Sequence, residues 1–269
     1  MIKVENLSVV FSRGTPDENI ALKNINLNIK RGDFITIIGS NGAGKSTLYN
    51  VIAGTYPPES GSIYLRGENN EKWRDITREP EYRRARYIGR IFQNPLLGTA
   101  GNMALEDNML ICRKKGYKGL KISLNHKLRE EFRAHLRELD MGLENRMTDN
   151  VGLLSGGQRQ ALTLLMTVMS RPDLLLLDEH TAALDPRNAE IVMKMTLRFA
   201  AEYNLTVMMI THNMTHALQF GTRLLMMDSG EIILDMDKAE KEKLTARDIV
   251  ERFHAIKHRD LANDEMLLS

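Results

Sequence analysis

The chain has 269 residues, of which 42% are hydrophobic and 27% charged, enough apolar material for a sizeable core beneath a charged surface. A formal charge of +2 is too balanced for nucleic-acid binding through a general positive field, and the single Cys112 excludes an intrachain disulfide. No apolar run reaches the ~18 residues of a membrane-spanning helix and no signal-peptide pattern opens the chain, so we expect a soluble, unexported protein.

The first third of the chain shows strand patterns separated by turn residues. Alternating segments cover Ile2–Val10 and Leu22–Lys30, and an apolar stretch runs from Phe34 to Ile38 and ends at Gly39. A glycine-rich loop and an amphipathic helix over about Lys45–Ala53 follow. This strand–loop–helix order predicts an α/β fold with a parallel sheet.

The glycine-rich loop, GSNGAGKS at residues 39–46, fits the phosphate-binding pattern G-x-x-x-x-G-K-[ST] between a strand and a helix. Its glycines let successive backbone N–H groups point at an anion from a helix N-terminus. Lys45 would place its charge on the terminal phosphates. Ser46 would offer a hydroxyl to Mg²⁺, which keeps water and phosphate oxygens as its other ligands.

Strand patterns are absent between about residues 98 and 150. Apolar residues recur there at helical spacing, at Leu128, Phe132, Leu136, Leu139 and Leu143. We therefore predict a helical subdomain inserted into the α/β core. Residues 113–129 contain seven basic residues and no acid; a solvated loop is one interpretation, and contact with a partner or with anionic lipid is the other.

A second helix N-terminus suited to an anion follows the insertion. Ser155 precedes Gly156, Gly157 and a long apolar helix over about Arg159–Ser170, so it is predicted to cap that helix while the glycines bare backbone N–H groups. Binding one triphosphate between both helix N-termini requires a fold that brings them together or a two-fold dimer. Spacing alone leaves both arrangements open.

Two acids end the apolar strand Leu174–Leu177, and ligands of open α/β sheets bind at that end of the strands. Asp178 is placed to hold Mg²⁺ through its water shell, and Glu179 to take a proton from the attacking water. His212 follows the strand Thr206–Ile210, where it would reach a γ-phosphate. Two surface acids that end a strand are the alternative for Asp178 and Glu179, which the phosphate loop disfavours, whereas His212 taken alone would more often be a surface histidine.

The last third predicts a helix capped by Asp185 with Pro186 in its first turn, a strand at Arg223–Met227 and a short strand, IILD. A capping box of Thr245 and Asp248 then opens an amphipathic helix. Its inward residues are Ile249, Phe253 and Ile256.

The order of these motifs resembles the ABC ATPase family over about residues 2–235. Residues 39–47 resemble its Walker A loop, Gln93 in IFQNP its Q-loop, LSGGQ at 154–158 its signature sequence, and LLLLDE at 174–179 its Walker B strand. Residues 182–185 resemble its D-loop and His212 its switch histidine. LSGGQ upstream of Walker B is specific to this family.

The resemblance implies an ATPase that uses ATP and Mg²⁺, with Glu179, His212 and Gln93 as catalytic residues. Mg²⁺ would be held by Ser46, Gln93 and Asp178. The implied ATP-binding residues are Phe11, Ser40, Asn41, Gly42, Ala43, Gly44, Lys45, Ser46, Thr47, Ser155, Gly156, Gly157 and Gln158.

The spacing left open whether one chain or a dimer brings the two helix N-termini together. The resemblance implies a head-to-tail homodimer, in which Ser155 and Gly157 of one chain close on ATP held by Lys45 of the other. Phe11 would stack on adenine, where tyrosine is more usual; it is equally compatible with the core of the first sheet. His180 departs from the pattern, since most relatives carry proline there. We expect a changed local contact and no loss of hydrolysis.

The implied fold is α/β, a P-loop NTPase with a mixed sheet, an N-terminal antiparallel β subdomain and an inserted helical subdomain. The ATPase domain would span residues 1–235, with the helical subdomain at about 98–150. Residues 236–269 would form a C-terminal helical extension.

The implied function is the ATP-hydrolysing subunit of a bacterial ABC transporter, an importer of amino acids or similar solutes, at the cytoplasmic face of the membrane. QNPLLGTAGNMALEDN and VGLLSGGQRQALTLLM resemble ATPases of aromatic amino acid importers. Expected partners are separate permease subunits, a second copy of the chain and an extracytoplasmic substrate-binding protein.

Two other functions are weighed against transport. The first is a soluble ABC ATPase acting on nucleic acid or in cluster assembly. DNA-repair relatives of this kind would carry long heptad insertions and translation-factor relatives usually carry two cassettes, and neither pattern is present. No nucleic-acid partner is therefore expected. A module that senses ATP without hydrolysing it is disfavoured by Glu179 and His212.

Overall fold

The computed structural model of the chain describes residues 1–67, 72–113, 124–253 and 255. The strands in these ranges are β1 (Ile2–Phe11), β2 (Asn19–Ile29), β3 (Phe34–Gly39), β4 (Ser60–Leu65), β5 (Arg74–Asp75), β6 (Ile88–Ile91), β7 (Leu174–Asp178), β8 (Val207–Ile210), β9 (Arg223–Asp228) and β10 (Glu231–Asp237). The helices are α1 (Lys45–Ala53), α2 (Glu81–Arg84), α3 (Leu105–Arg113), α4 (His126–Arg137), α5 (Gly156–Met169), α6 (Pro186–Glu202), α7 (Met214–Gln219) and α8 (Lys238–Lys241).

The described strands form two sheets. One is antiparallel, in the order β2-β1-β4-β5, and the other is mixed, in the order β10-β9-β3-β8-β7-β6. In the mixed sheet β9, β3, β8, β7 and β6 run parallel and only β10 is antiparallel to its neighbour. The mixed sheet and the N-terminal antiparallel sheet confirm the predicted architecture. Parallel pairing places the carboxyl ends of five strands along one edge.

The alternation of side chains along β7 divides the core in two. Leu174 and Leu176 pack in the cluster that contains α1 and the antiparallel sheet, whereas Leu175 and Leu177 pack in the cluster that contains α3, α4, α5 and α6. All four leucines are buried. A strand that is buried on both faces has a continuous apolar sequence, which is why β7 could be predicted from the sequence.

Helices occupy the predicted insertion. In α4 the side chain of Asn125 caps the helix, and the periodic residues Leu128, Phe132 and Leu136 are buried. They share a core cluster with α5. The predicted basic run is bounded by ion pairs, Arg113 with Glu131 at 3.2 Å and Arg129 with Glu106 at 3.0 Å; its residues 114–123 lie outside the described residues.

At the C-terminal end, β10 extends to Asp237, two residues beyond the predicted domain boundary. Thr245 and Asp248 form the predicted capping box, and residues 246–253 are helical. Ile249 is buried and Phe253 packs at the edge of the same cluster as β9, while Ile256 lies outside the described residues. The division into a domain and an extension stays a prediction.

Strand β6 has no counterpart among the predicted strands. Its sequence, IGRI, is only four residues long and carries glycine and arginine between two isoleucines. Pairing with β7 places it in the sheet despite that weak local signal. In the described part of the chain, no helix combines the length and apolarity needed to cross a bilayer.

Candidate active site

The phosphate loop depends on glycine at its two ends. Gly39 has a φ of 149°, and a Cβ there would lie 2.1 Å from the backbone oxygen of Met227. Gly44 has a φ of 95°, and a Cβ there would lie 2.5 Å from the backbone oxygen of Ala21. Gly44 also gives α1 no side-chain cap, so the first N–H groups of this helix are left for a ligand.

The loop borders a cavity of about 350 Å³. The residues that line it come from β1, β2, the phosphate loop and the ends of β7 and β8: Phe11, Asn19, Ala21, Asn41, Gly42, Ala43, Gly44, Lys45, Ser46, Thr47, Glu179 and His212. The fold therefore brings together most of the predicted ATP-binding residues with two of the predicted catalytic ones. Asn19 and Ala21 carry no motif and were not predicted.

Lys45 lies buried at the base of the cavity. Its Nζ donates to the backbone oxygens of Gly39 and Ser40, both at 2.8 Å, which fixes the ammonium group beneath the loop. Burial lowers the pKa of Lys45, and the nearby carboxylates of Glu179 and Asp178 oppose that shift. An ammonium group has three donors, so one N–H remains for a phosphate oxygen.

Ser40 directs its hydroxyl away from the cavity. Its Oγ donates to Oδ1 of Asp228 at 2.6 Å, and Ser40 does not line the cavity. Asp228 ends β9, the neighbour of β3, and this carboxylate was missed by sequence reasoning. The rule that selected Asp178 and His212, a polar residue at the carboxyl end of a core strand, applies to Asp228 as well.

Glu179 adopts a left-handed conformation, with a φ of 47°. Such strain costs roughly 1–3 kcal/mol and persists where the surrounding structure enforces it, often at functional sites. Its Oε1 lies 2.5 Å from Nε2 of His212, which extends from the adjacent strand β8. The predicted base and the predicted switch histidine are thus in direct contact.

Asp178 lies beside Glu179 but outside the lining of the cavity. Burial raises the pKa of Asp178, and the positive charges of Arg90 and Lys45 oppose that rise. The Nη2 atom of Arg90 lies 3.7 Å from Oδ2 of Asp178. Arg90 was not predicted, because β6 itself was not.

Gln93 is exposed at the carboxyl end of β6 and does not line the cavity. The backbone oxygen of the preceding Phe92 accepts a hydrogen bond from Nε2 of Gln160 on α5, at 3.2 Å. Gln93 thus lies outside the lining of the cavity that contains Ser46, and its role as a ligand of Mg²⁺ stays a prediction.

The signature residues form the predicted helix N-terminus. The Oγ of Ser155 accepts from the backbone N–H of Gln158 at 3.3 Å, and Oε1 of Gln158 accepts from the backbone N–H of Ser155 at 3.1 Å. This capping box occupies the side chain of Gln158. At Gly157 a Cβ would lie 2.5 Å from the Asn188 side chain, so glycine is required there for close packing on α6. None of residues 155–158 lines the cavity around Lys45.

Phe11 ends β1 at the mouth of the cavity. It is 37% exposed, so it is not part of the core of the first sheet. Its ring meets the ring of Tyr56 edge to face, with centroids 5.6 Å apart. An exposed aromatic face in this position suits a planar base.

His180 is enclosed behind the active site and is 1% exposed. Its Nε2 lies 3.0 Å from Oγ1 of Thr196, which donates its own proton to the backbone oxygen of Val192. Nε2 is therefore assigned as the donor. Burial lowers the pKa of His180 to about 4, so the ring is neutral at pH 7. The backbone oxygen of His180 accepts from Nε2 of Gln160 at 2.7 Å.

Comparisons with known proteins point to one family. The profile of the ABC transporter family matches residues 22–182. A tyrosine transport ATP-binding protein of Clostridioides difficile is 42% identical over 255 residues, which cover 94% of this chain and 98% of that protein. A methionine import ATP-binding protein of Enterococcus faecalis is 32% identical, covering 99% of this chain and 75% of that protein.

Two solved structures share the fold. A dimeric ATP-binding cassette in a post-hydrolysis state, bound to ADP and Pi, aligns with a TM-score of 0.71 at 27% identity, over 88% of this chain and 99% of that chain. A component of an ABC transporter complex from Clostridium perfringens aligns with a TM-score of 0.72 at 28% identity, over 96% of this chain and 97% of that chain.

We predict that His180 makes the stability of the protein depend on pH. In the unfolded chain the imidazole takes up a proton near its ordinary pKa of 6.5, whereas in the folded protein it does so only near 4. The unfolded state thus binds more protons between these values, and the free energy of unfolding falls as pH falls from about 6.5 towards 4. The contribution is up to roughly 3 kcal/mol.

Urea denaturation of the nucleotide-free protein at pH 7, 6 and 5 measures this effect. His180→Gln should lose less stability on acidification than the unsubstituted protein, while the exposed His126→Gln should follow the unsubstituted protein. Parallel curves for the protein and its His180→Gln variant would show that His180 titrates alike in both states.

Proposed function

The chain belongs to the ABC transporter family of ATP-binding subunits and is an ATPase, and we propose that it energises import of amino acids of the aromatic class through a separate permease. One observation carries the hydrolytic part: Lys45, Glu179 and His212 meet in a single cavity. The importer part is supported by the 42% identity to a tyrosine transport ATP-binding protein over nearly its whole length. We place the protein at the cytoplasmic face of the membrane, with an extracytoplasmic substrate-binding protein in the full system.

ATP would lie with its phosphates on the loop and its base towards the antiparallel sheet. The N-terminus of α1 and the remaining N–H of Lys45 supply donors for the β- and γ-phosphates. The ring of Phe11 supplies a stacking face at the other end of the same cavity. The phosphate donors and the aromatic ring thus lie at opposite ends of the cavity, as the phosphates and the base do in ATP.

The donors near Lys45 suit Mg²⁺. Ser46 is exposed in the cavity at the start of α1. Asp178, which carries a carboxylate, is the last residue of β7. Both are oxygen ligands, and Mg²⁺ takes few protein ligands because it keeps several waters and phosphate oxygens. Bound there, the ion would neutralise charge that develops on the phosphates. Gln93 stays a predicted ligand that must approach from its exposed position.

Glu179 would accept the proton of the attacking water. Its carboxylate is held by Nε2 of His212, which orients one oxygen and leaves the other for water. The same ring nitrogen is the group proposed to reach the γ-phosphate. Contact with the phosphate therefore requires His212 to exchange Glu179 for the nucleotide.

Glu179→Gln tests the proposed base. The amide keeps the shape and loses basicity, so steady-state hydrolysis should fall by ~10² to 10⁴ while ATP binding is retained. Glu190→Gln, an exposed acid on α6, is the matched control and should hydrolyse ATP normally. Normal turnover by Glu179→Gln would place the base elsewhere.

A second copy of the chain would complete the site. The cavity contains the N-terminus of α1 but not that of α5, although the first N–H groups of every α-helix lack partners within the helix. Ser155 and Gly156 are exposed at the start of α5. A head-to-tail homodimer would bring this surface of one chain to the phosphates held by Lys45 of the other.

Mixed dimers test this arrangement. Ser155→Arg should leave ATP binding by the monomer intact and stop hydrolysis, because the bulky cation occupies the place of the partner's γ-phosphate. Lys45→Ala should abolish tight MgATP binding by its own chain. A dimer of one Ser155→Arg chain and one Lys45→Ala chain has one site with both changes and one site with neither.

Hydrolysis should return in that mixed dimer at the unchanged site, if the two sites act independently. Homodimers of each variant serve as controls and should stay inactive. If Ser155→Arg instead weakens ATP binding by the monomer as much as Lys45→Ala does, the signature sequence acts within its own chain.

The proposed permease surface is a groove beside β6. It has a volume of about 480 Å³ and is lined by residues of α2, β6, α3 and α5, among them Tyr82, Ile111, Cys112 and Met166. Tyr82 is 70% exposed and Ile111 is 49% exposed. Large apolar side chains left in a groove suit an amphipathic helix, here a cytoplasmic helix of the permease.

Co-expression with the neighbouring membrane gene tests the transporter assignment. The two proteins should co-purify in detergent with two copies of this chain per transporter. Ile111→Glu should reduce the amount recovered with the permease because it places a charge in the apolar groove, and charge reversal within residues 113–121 should act likewise. ATP hydrolysis by the isolated protein should change less than this association.

Val250→Glu is the matched control, since Val250 is an exposed apolar residue on the C-terminal helix. It should co-purify normally. Purification of the protein alone, from membranes and cytosol, with binding to duplex DNA or an assembly scaffold, would favour the soluble-ATPase alternative.

A further inference from the structure

Arg90 is a poorly exposed arginine in β6, the edge strand of the parallel set. Its side chain is 13% exposed and makes three contacts. Nη1 donates to Oδ1 of Asn50 on α1 at 2.7 Å, Nη2 lies 3.7 Å from Oδ2 of Asp178, and the guanidinium carbon lies 4.5 Å from the centre of the Phe92 ring. One side chain thus joins the phosphate-loop helix, the Walker B strand and the segment that leads to Gln93.

The core does not explain a charge at this position. Burying a guanidinium group costs free energy that only good partners offset, and an apolar side chain of equal length would pack here without that cost. Nε of Arg90 is buried and has no hydrogen-bond partner. The carboxylate of Asp178 compensates the charge, and this ion pair is what an apolar side chain could not provide.

The contacts of Arg90 span the two elements that would supply the protein ligands of Mg²⁺. Asn50 lies one turn after Ser46 on α1, and Asp178 ends β7. Asn50 anchors the guanidinium group by a hydrogen bond, and the guanidinium group faces one oxygen of Asp178 across 3.7 Å. That distance is an ion pair without a short hydrogen bond, so it constrains the carboxylate and leaves its other oxygen available.

We propose that Arg90 is a positioning residue that sets the carboxylate of Asp178, relative to α1, for the water shell of Mg²⁺. The inference rests on the metal site described under the proposed function. It concerns neither the permease nor the imported solute. Partners that orient the ligands of a metal typically contribute 10–100-fold to metal affinity or activity.

Nucleotide binding by the isolated protein, with and without Mg²⁺, tests the proposal. Arg90→Met keeps the length of the side chain and removes its charge. The affinity for ATP in EDTA should stay within about twofold, whereas the gain in affinity on adding Mg²⁺ should fall by roughly tenfold or more. Mn²⁺, followed by electron paramagnetic resonance in the presence of ATP, should show weaker binding in the same variant.

Arg223→Met is the matched control. Arg223 has a 20% exposed side chain and pairs with Asp235 and Asp33, but it begins β9 at the opposite edge of the sheet. Its loss should leave both affinities unchanged. Arg90→Lys retains the charge without the forked geometry and should lie between Arg90→Met and the unsubstituted protein.

A double-mutant cycle separates positioning from a purely structural role. In an Asp178→Asn background, Arg90→Met should cause no further loss of Mg²⁺-dependent affinity, because the group it orients has been removed. An equal further loss in that background, or an equal loss of affinity in EDTA, would show that Arg90 only supports the fold.

If Arg90→Met does not fold, Asn50→Ala provides the second test, since it releases the guanidinium group and retains the charge. It should also reduce the gain in affinity for ATP on adding Mg²⁺, by a factor no larger than that of Arg90→Lys. An unchanged gain in well-folded Arg90 or Asn50 variants overturns this inference alone. Absence of any Mg²⁺-dependent gain in the unsubstituted protein overturns the metal site and this inference together.

Discussion

Parallel pairing of β3, β8 and β7 is the constraint on which the active site depends. Because these strands run in one direction, the phosphate loop, His212 and the Asp178–Glu179 pair all leave the sheet at the same edge. The strand order places β8 between β3 and β7, so the strand that precedes His212 lies between those that precede the phosphate loop and Glu179, although His212 follows both in the chain. Chemistry at this edge therefore requires a sheet assembled from distant parts of the sequence.

Charge is balanced around this edge before any ligand is considered. Lys45 lies near both acids, Arg90 pairs with Asp178, and His212 contacts Glu179. Lys45, Asp178, Glu179 and His212 thus already have protein partners. Ligand binding then amounts to an exchange of partners, which keeps buried charges compensated and avoids the high cost of isolating them.

Features encoded locally were predictable from the sequence. The glycines of the loop, the caps at Asp185 and Ser155, and the apolar run of β7 each depend on a few adjacent residues, and the structure contains all of them. Pairings across the sheet were not predictable, as Ser40 with Asp228 and Arg90 with Asp178 show. They depend on the neighbours of β3 and β7, and strand order is not a local property. The roles assigned to the site residues and the domain boundaries stay predictions.

The first two turns of α5 connect its N-terminus to the segments that carry Gln93 and Glu179. At its start, the capping box pairs the backbone N–H groups of Ser155 and Gln158 but not those of Gly156 and Gly157, which are the proposed donors towards a second chain. One turn later, Gln160 bonds the backbone oxygens of Phe92 and His180, which adjoin Gln93 and Glu179 of its own site. A rigid helix cannot shift at its N-terminus without moving these bonds. In the proposed homodimer, a shift of α5 caused by the second copy would move these hydrogen bonds and the segments that carry Gln93 and Glu179.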